Sequence, residues 1–410
     1  MSLVQYYKLL RKKNVLSWCF FDFGLSSYPT LILTFFYGAY YAKNIANNYV
    51  IGTALWGYAI STASIICFLL FTFVLIYLRT YTRKISIIFF FFFGLLIIFS
   101  SSSLGFFDKG GNQYFPLVFI IISFISFEVL NFFYNISLKK VSKNGHEGFL
   151  SNIGWAFGYL GGLLSLMICL VFLTNTKGNN YQIFEISSFA LIGPFVAIWI
   201  LIFCSFHFKN FKREYFLIPT LVSLFKNFHN LKIKYFLFSY FFFNNGVVSV
   251  FAFASMFASF LYDFNESEIL LLGVFINLSG VVGCVIFGFV EKSFSSEKAV
   301  LLCIVALLFL TSGLLIVENV IFFWFIALSI GFFIGPIQAC SRSVLVKKLP
   351  IANQLGAFSI FSILGNICAI LGPFLVGYTI HSFDSIKNGL AVIPFFFFIS
   401  LIPFYKKFSA

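Results

Sequence analysis

Charge is what this sequence lacks. Only 10% of its 410 residues are Asp, Glu, Lys or Arg, 60% are hydrophobic, and the mean hydropathy is +0.99; soluble domains carry about a quarter charged residues. A soluble chain is excluded, and an all-α protein embedded in a lipid bilayer is expected. The four histidines, His146, His207, His229 and His381, fall in loops or at span ends, and the eight cysteines form no CxxC pair. Neither zinc nor a disulfide framework is indicated. There is no GxxxxGK[ST] loop, which argues against ATP driving. The spans offer no nucleophile with a base and no intramembrane histidine, so an enzyme is not expected, nor any cofactor or metal. The net charge of +14 lies in short loops between apolar runs, where it reads as a topology signal and not as a nucleic-acid surface.

What the chain has in excess is apolar length. Runs near the ~20 residues needed to cross a bilayer occur at 15–41, 50–77, 85–107, 114–138, 149–173, 186–206, 235–260, 268–290, 299–316, 320–345, 354–380 and 388–405, twelve in all. The first is too long, and lacks the small-residue site, for a cleaved signal peptide. A basic stretch at 207–234, with apolar residues at helical spacing, reads as an amphipathic linker. The expected division is therefore a six-helix half at 1–206, a cytoplasmic linker at 207–234 and a second six-helix half at 235–410. With the N-terminus in the cytoplasm, 22 of the 27 basic residues fall inside and four outside, Arg342 lying within a span. That asymmetry predicts two cytoplasmic termini.

The two halves repeat weakly. SWCFFDFG at 17–24 matches SYFFFNNG at 239–246, aligning Asp22 with Asn244, and a second offset aligns Asn131 with Gln338 and Gly158 with Gly365. Duplicated halves with a site near the midplane are a transporter pattern.

The polar residues inside the spans concentrate on spans 1, 4, 7 and 10. A charge in hydrocarbon is costly and by default functional, which singles out Asp22, Glu128 and Arg342. Glu128, Asn131 and Asn135 recur at i, i+3 and i+7 in span 4, and Asp22, Ser26 and Thr30 at i, i+4 and i+8 in span 1, so each set shares a helical face. Asn244 and Asn245 lie in span 7, Gln338 in span 10. These eight are the candidate substrate or proton-coupling residues. The bland readings stand beside them: the carboxylates as permanent partners of Arg342, the amides as interhelical hydrogen bonds, and Arg342 as a side chain snorkelling to the interface. Pro29 and Pro336 are expected to kink spans 1 and 10. Gly154, Gly158 and Gly162, spaced GxxxGxxxG in span 5, and Gly372 in span 11 are expected to serve helix packing.

Twelve spans in two repeated halves resemble the major facilitator superfamily. The finer resemblance is to its vacuole-effluxer-like branch, which holds an autophagy-related amino-acid effluxer. It rests on Trp18–Asp22 followed by SSYPTLILTF, FYN at 133–135, GWAFGYLGG at 154–162, NNG at 244–246, IQACSRS at 337–343 and LGPFLVG at 371–377. The resemblance implies the major facilitator fold and a secondary transporter, a permease moving a small polar solute by alternating access; a monomer is expected. Amino-acid efflux is the specificity it suggests, with proton coupling open and a bacterial inner membrane the expected location. Two departures bear on mechanism. Leu78 and Tyr81 replace the Asp and Gly expected in the loop between spans 2 and 3, and Asn245 stands where the branch often carries Asp. The eroded loop keeps an alternative class open, a non-transporting scaffold or sensor on a transporter fold.

Overall fold

The computed structural model describes residues 10–47, 49–77, 83–107, 111–142, 146–176, 191–211, 233–262, 264, 266–349, 351–383 and 386–408. Most of the expected linker, and Leu78 and Tyr81 of the loop between spans 2 and 3, lie outside them. The described elements are helical throughout, and a helix falls within each of the twelve expected spans. They are α1 (Lys13–Leu25), α2 (Tyr49–Tyr77), α3 (Arg83–Ser103), α4 (Phe115–Val141), α5 (Glu147–Thr176) and α6 (Ile192–Phe211). Then come α7 (Lys234–Tyr262), α8 (Glu266–Ser293), α9 (Ser296–Gly313), α10 (Val320–Lys348), α11 (Ile351–Phe383) and α12 (Ile386–Phe408). Among the described residues ten helices are long and apolar enough to cross a membrane, and Ile192–Ser205 is a shorter apolar helix. The chain is thus a multi-pass membrane protein. Lipid-exposed backbone must satisfy its own hydrogen bonds, and a helix does so within each segment.

Span 1 is not one helix. α1 ends at Leu25, and the chain continues as a π-helix over Tyr28–Phe35 with Pro29 at its start. A short turn at Tyr37–Tyr40 and a second π-helix at Tyr41–Ile45 follow. Pro29 was expected to kink an α-helix; it sits instead at the first positions of a wider helix, where its missing N–H leaves no interior bond broken. The bonds Phe36 N–H to Leu31 O (3.1 Å) and Ala46 N–H to Tyr41 O (2.9 Å) close the wider turns. Tyrosines pin this stretch: Tyr37 Oη donates to Leu104 O (3.1 Å) and Tyr41 Oη to Gln113 O (3.0 Å).

Two compact units emerge. One comprises residues 1–66, 82–137 and 157–216, the other residues 67–81, 138–156 and 217–410. In the first, α5 meets α1 through glycine: a Cβ at Gly158 would lie 2.8 Å from Ser26 Oγ and 2.9 Å from Asp22 Oδ2, and one at Gly161 would collide with the carbonyl of Phe23. On the next side of α1 a Cβ at Gly24 would come 2.8 Å from Cys204 Sγ of α6. Of the other expected packing glycines, Gly154 and Gly162 are buried in α5. In the second unit Pro336 lies inside α10 and removes the N–H that would bond the carbonyl of Phe332. That carbonyl lies against Gly283 of α8, where a Cβ would strike it.

Replacing Gly161 by Ala should force α1 and α5 apart, at a cost of about 1–3 kcal/mol for overpacking. Gly57→Ala, with nothing within 4 Å of the added methyl, should be neutral or slightly stabilising. Thermal unfolding of the two purified variants in one detergent checks the contrast.

Candidate functional site

In the first unit two aromatic contacts fix how α1 runs beside α4. Trp18 stacks on Tyr134, ring centroids 4.4 Å apart, and its Nε1 donates to Tyr134 O at 3.1 Å. Ten residues further along, the Tyr28 ring lies over Phe127 at 5.5 Å and its hydroxyl bonds Ser123 Oγ at 2.8 Å. The partner residue number falls as the residue number along span 1 rises, from α1 into the π-helix, so span 1 and α4 are antiparallel. Asp22, one turn from Trp18, then shares the level of Leu130 and Asn131, about 6 Å from Trp18 at 1.5 Å per residue. Glu128 lies two residues from that level.

Both carboxylates are half-buried. Asp22 accepts a bond from Ser26 Oγ at 3.3 Å on its own helix and faces Gly158 across the notch. Glu128 forms no hydrogen bond or ion pair with any described residue. Below it, Asn135 Nδ2 donates to Asn131 Oδ1 at 3.3 Å. The expected polar face of span 4 is therefore a continuous strip, with a carboxylate at its end.

In the second unit the two adjacent asparagines of α7 turn different ways, as residues 100° apart on a helix must. Asn244 Oδ1 accepts from Gln338 Nε2 of α10 at 2.7 Å. Asn245 Nδ2 donates to Phe241 O at 2.6 Å and to Cys368 Sγ of α11 at 3.2 Å. A Cβ at Gly372 would lie 2.7 Å from Asn245 O, 2.8 Å from Ser249 Oγ and 3.3 Å from Asn245 Oδ1. Asn245 and Ser249 at i, i+4 against a glycine repeat the arrangement of Asp22 and Ser26 against Gly158. By this contact the counterpart of Asp22 is Asn245, where the sequence match aligned Asn244. The counterpart of Gly158 is likewise Gly372 and not Gly365, whose added Cβ would meet only Tyr240 Oη at 3.4 Å.

Arg342 does not snorkel. It is 2% exposed; its Nε donates to Ser151 Oγ (3.1 Å), its Nη2 to Ser151 O (2.8 Å), and its guanidinium lies over the Trp155 ring at 5.7 Å. Beside it stands a residue that sequence reading passed over. Glu291, one position past the expected end of span 8, is 3% exposed and accepts from Asn152 Nδ2 (2.8 Å), Lys347 Nζ (2.9 Å), Ser343 Oγ (3.4 Å) and Ser296 Oγ. A Cβ at Gly148 would collide with this carboxyl group. The signal was slight: an acid beside Lys292 at a span end looks like any solvated turn.

Residues 135–406 match the family model described as vacuole effluxer Atg22-like, more than half of the chain. The chain belongs to the Atg22-like vacuole effluxer family. A Bacillus subtilis (strain 168) relative described as an uncharacterized MFS-type transporter, YxiO, is 22% identical over 391 residues, covering 88% of this chain and 87% of that one. Among solved structures, a bacterial homologue of the iron transporter ferroportin in an outward-facing state with soaked iron aligns at TM-score 0.72 and 12% identity, over 97% of this chain and 99% of the other. The proton:xylose symporter XylE aligns at 0.68 and 11% identity, over 99% and 96%. The fold of this Atg22-like chain is thus that of major facilitator transporters. It is a membrane transporter, and its relatives are not enzymes.

Glu291→Ala should destabilise this Atg22-like protein by about 3–5 kcal/mol, because it strands a lysine and the donors of Asn152 and Ser296. Glu291→Gln, which keeps acceptor capacity at one oxygen, should lose less. Comparison of unfolding temperatures across the two variants checks the order.

Proposed function

We propose that this chain is a secondary transporter that carries a small polar solute across the membrane by alternating access, with Asp22 and Glu128 as its working carboxylates. The observation that carries the reading is Glu128: a half-buried carboxylate on a membrane span, without an ion-pair or hydrogen-bond partner among the described residues, beside the linked amides of Asn131 and Asn135. A group so placed is expensive unless it takes up a proton or a cation. It either relays a proton or holds the ammonium group of the solute, and Asp22, at a similar depth, shares the task. Asn131 and Asn135, linked on the same face of α4, supply hydrogen bonds to the solute within the first unit; within the second, the bonded pair Asn244 and Gln338 offers amides of the same kind. The effluxer family makes amino acids the first solutes to test, and the lack of any nucleotide-binding loop favours an ion gradient as the driving force.

Arg342 has a supporting part in this reading. Its bonds to Ser151 and its place over Trp155 tie α10 to the start of α5, an attachment that transport would have to loosen and remake. The proposed organisation is two six-helix halves, 1–206 and 235–410, joined by a cytoplasmic linker at 207–234, with both termini in the cytoplasm. We place the working unit as a monomer in a bacterial inner membrane.

Reconstituted into proteoliposomes, the wild type should accumulate solute from a panel of amino acids and other small polar compounds in response to a pH gradient. Asp22→Asn combined with Glu128→Gln should abolish accumulation while leaving the unfolding temperature within a few degrees. Unchanged flux in the double variant would refute the assignment of the two carboxylates.

A further inference from the structure

The crossing of α7 and α11 holds two oxygens that the protein leaves without partners. Asn245 Oδ1 and Ser249 Oγ are buried and make no hydrogen bond, in residues 1% and 0% exposed. The amide cannot turn over to relieve this. Its Nδ2 is held by two acceptors, Phe241 O at 2.6 Å and Cys368 Sγ at 3.2 Å, and the Cys368 thiol donates to Phe241 O, so a flip would set Oδ1 against a carbonyl oxygen and lose the shorter bond. Ser249, on a helix, could have donated to the carbonyl four residues back as Ser341 does to Ile337 (2.6 Å) and Thr311 to Leu307 (2.7 Å); it does not. Both oxygens border the spot where Gly372 lacks a side chain, at 3.3 and 2.8 Å from an added Cβ. One residue on, Pro373 inside α11 has no N–H, which takes the intrahelical partner from the carbonyl of Ala369.

We propose that Asn245 Oδ1 and Ser249 Oγ form a binding site for an internal water molecule at the α7–α11 crossing. A water can donate one O–H to Asn245 Oδ1 and accept the Ser249 hydroxyl proton, and native proteins seldom leave such groups unsatisfied. The protein oxygens named here are neutral, so a bare metal ion would lose its hydration without a carboxylate to offset the loss. At the equivalent position of the other unit, Asp22 takes the hydroxyl of Ser26 itself, at 3.3 Å. Asn245 thus makes of its notch a neutral hydrated contact where Asp22 makes a charged one. A water there lets α7 and α11 exchange hydrogen bonds as they move without exposing an unpaired group to hydrocarbon.

Cys368 is a reporter inside the site. It is 0% exposed and its sulfur bonds Asn245, so it should resist maleimide yet be oxidised readily when X-ray pulses generate hydroxyl radicals from the neighbouring water. In the full-length protein in nanodiscs, Ser249→Ala should slow Cys368 oxidation several-fold and lower the unfolding temperature, because it removes one anchor of the water. Slow oxidation of Cys368 in the wild type, or an unfolding temperature that rises in Ser249→Ala as expected for deleting an uncompensated hydroxyl from a dry contact, overturns the proposal. Replacing sodium by choline in the buffer should leave both readouts unchanged; a sodium-dependent change in either would make the occupant a cation and overturn it equally. Neither readout depends on transport, so loss of flux in the Asp22 and Glu128 variants bears only on the functional reading above.

Discussion

The contact on which the first unit depends is the close approach of α1 and α5, where the carbonyl of Phe23 lies against the Cα of Gly161. In hydrocarbon there is no hydrophobic gain from bringing two apolar helices together, so van der Waals fit and hydrogen bonds must do it, and small residues permit both. The glycines of α5 do more than allow contact. Gly158 leaves the space in which the Asp22 carboxylate and the Ser26 hydroxyl sit. Packing and polarity are thus one feature: a carboxylate can be held at this depth because the facing helix presents no side chain there.

The second unit uses the same device with a different source of polarity. Pro336 frees the carbonyl of Phe332 and Gly283 receives it. A proline inside a membrane helix is tolerable when a neighbour re-satisfies or shields the freed group, and a glycine Cα–H laid on a carbonyl oxygen is a weak but recurring way to do so. The buried cluster around Glu291 follows the opposite rule. There a full charge is accepted because Lys347, Asn152, Ser296 and Ser343 all donate to it, and the missing side chain of Gly148 gives the carboxyl group its room.

Much of this was legible in the sequence. Twelve apolar runs located the helices because a membrane span is recognised by length and hydropathy, which need no knowledge of neighbours. The i, i+3, i+7 spacing of Glu128, Asn131 and Asn135 likewise gave one helical face, and Asn131 and Asn135 do bond each other. What failed depended on partners distant in the chain. The π-helical course of Tyr28–Phe35 has no periodic signature distinct from that of an α-helix over eight residues. Glu291 resembled a loop acid because Asn152 and Lys347 lie 139 and 56 residues away. Arg342 was open to snorkelling for the same reason: Ser151, which holds it, is 191 residues distant.

The internal repeat shows most clearly where letters and contacts part. Matching SWCFFDFG to SYFFFNNG pairs Asp22 with Asn244, since both strings end in glycine. In space the residue that faces a glycine, with a serine one turn on, is Asp22 in one unit and Asn245 in the other. A shift of one residue on a helix is a rotation of about 100°, enough to exchange the helix that a side chain addresses. Asn244 accordingly reaches Gln338 on α10, while Asn245 reaches Cys368 on α11. The absence of an acid at Asn245 therefore does not vacate an idle position. It makes the structural counterpart of Asp22 neutral, so that of these two glycine-faced notches the one in the first unit carries the charge.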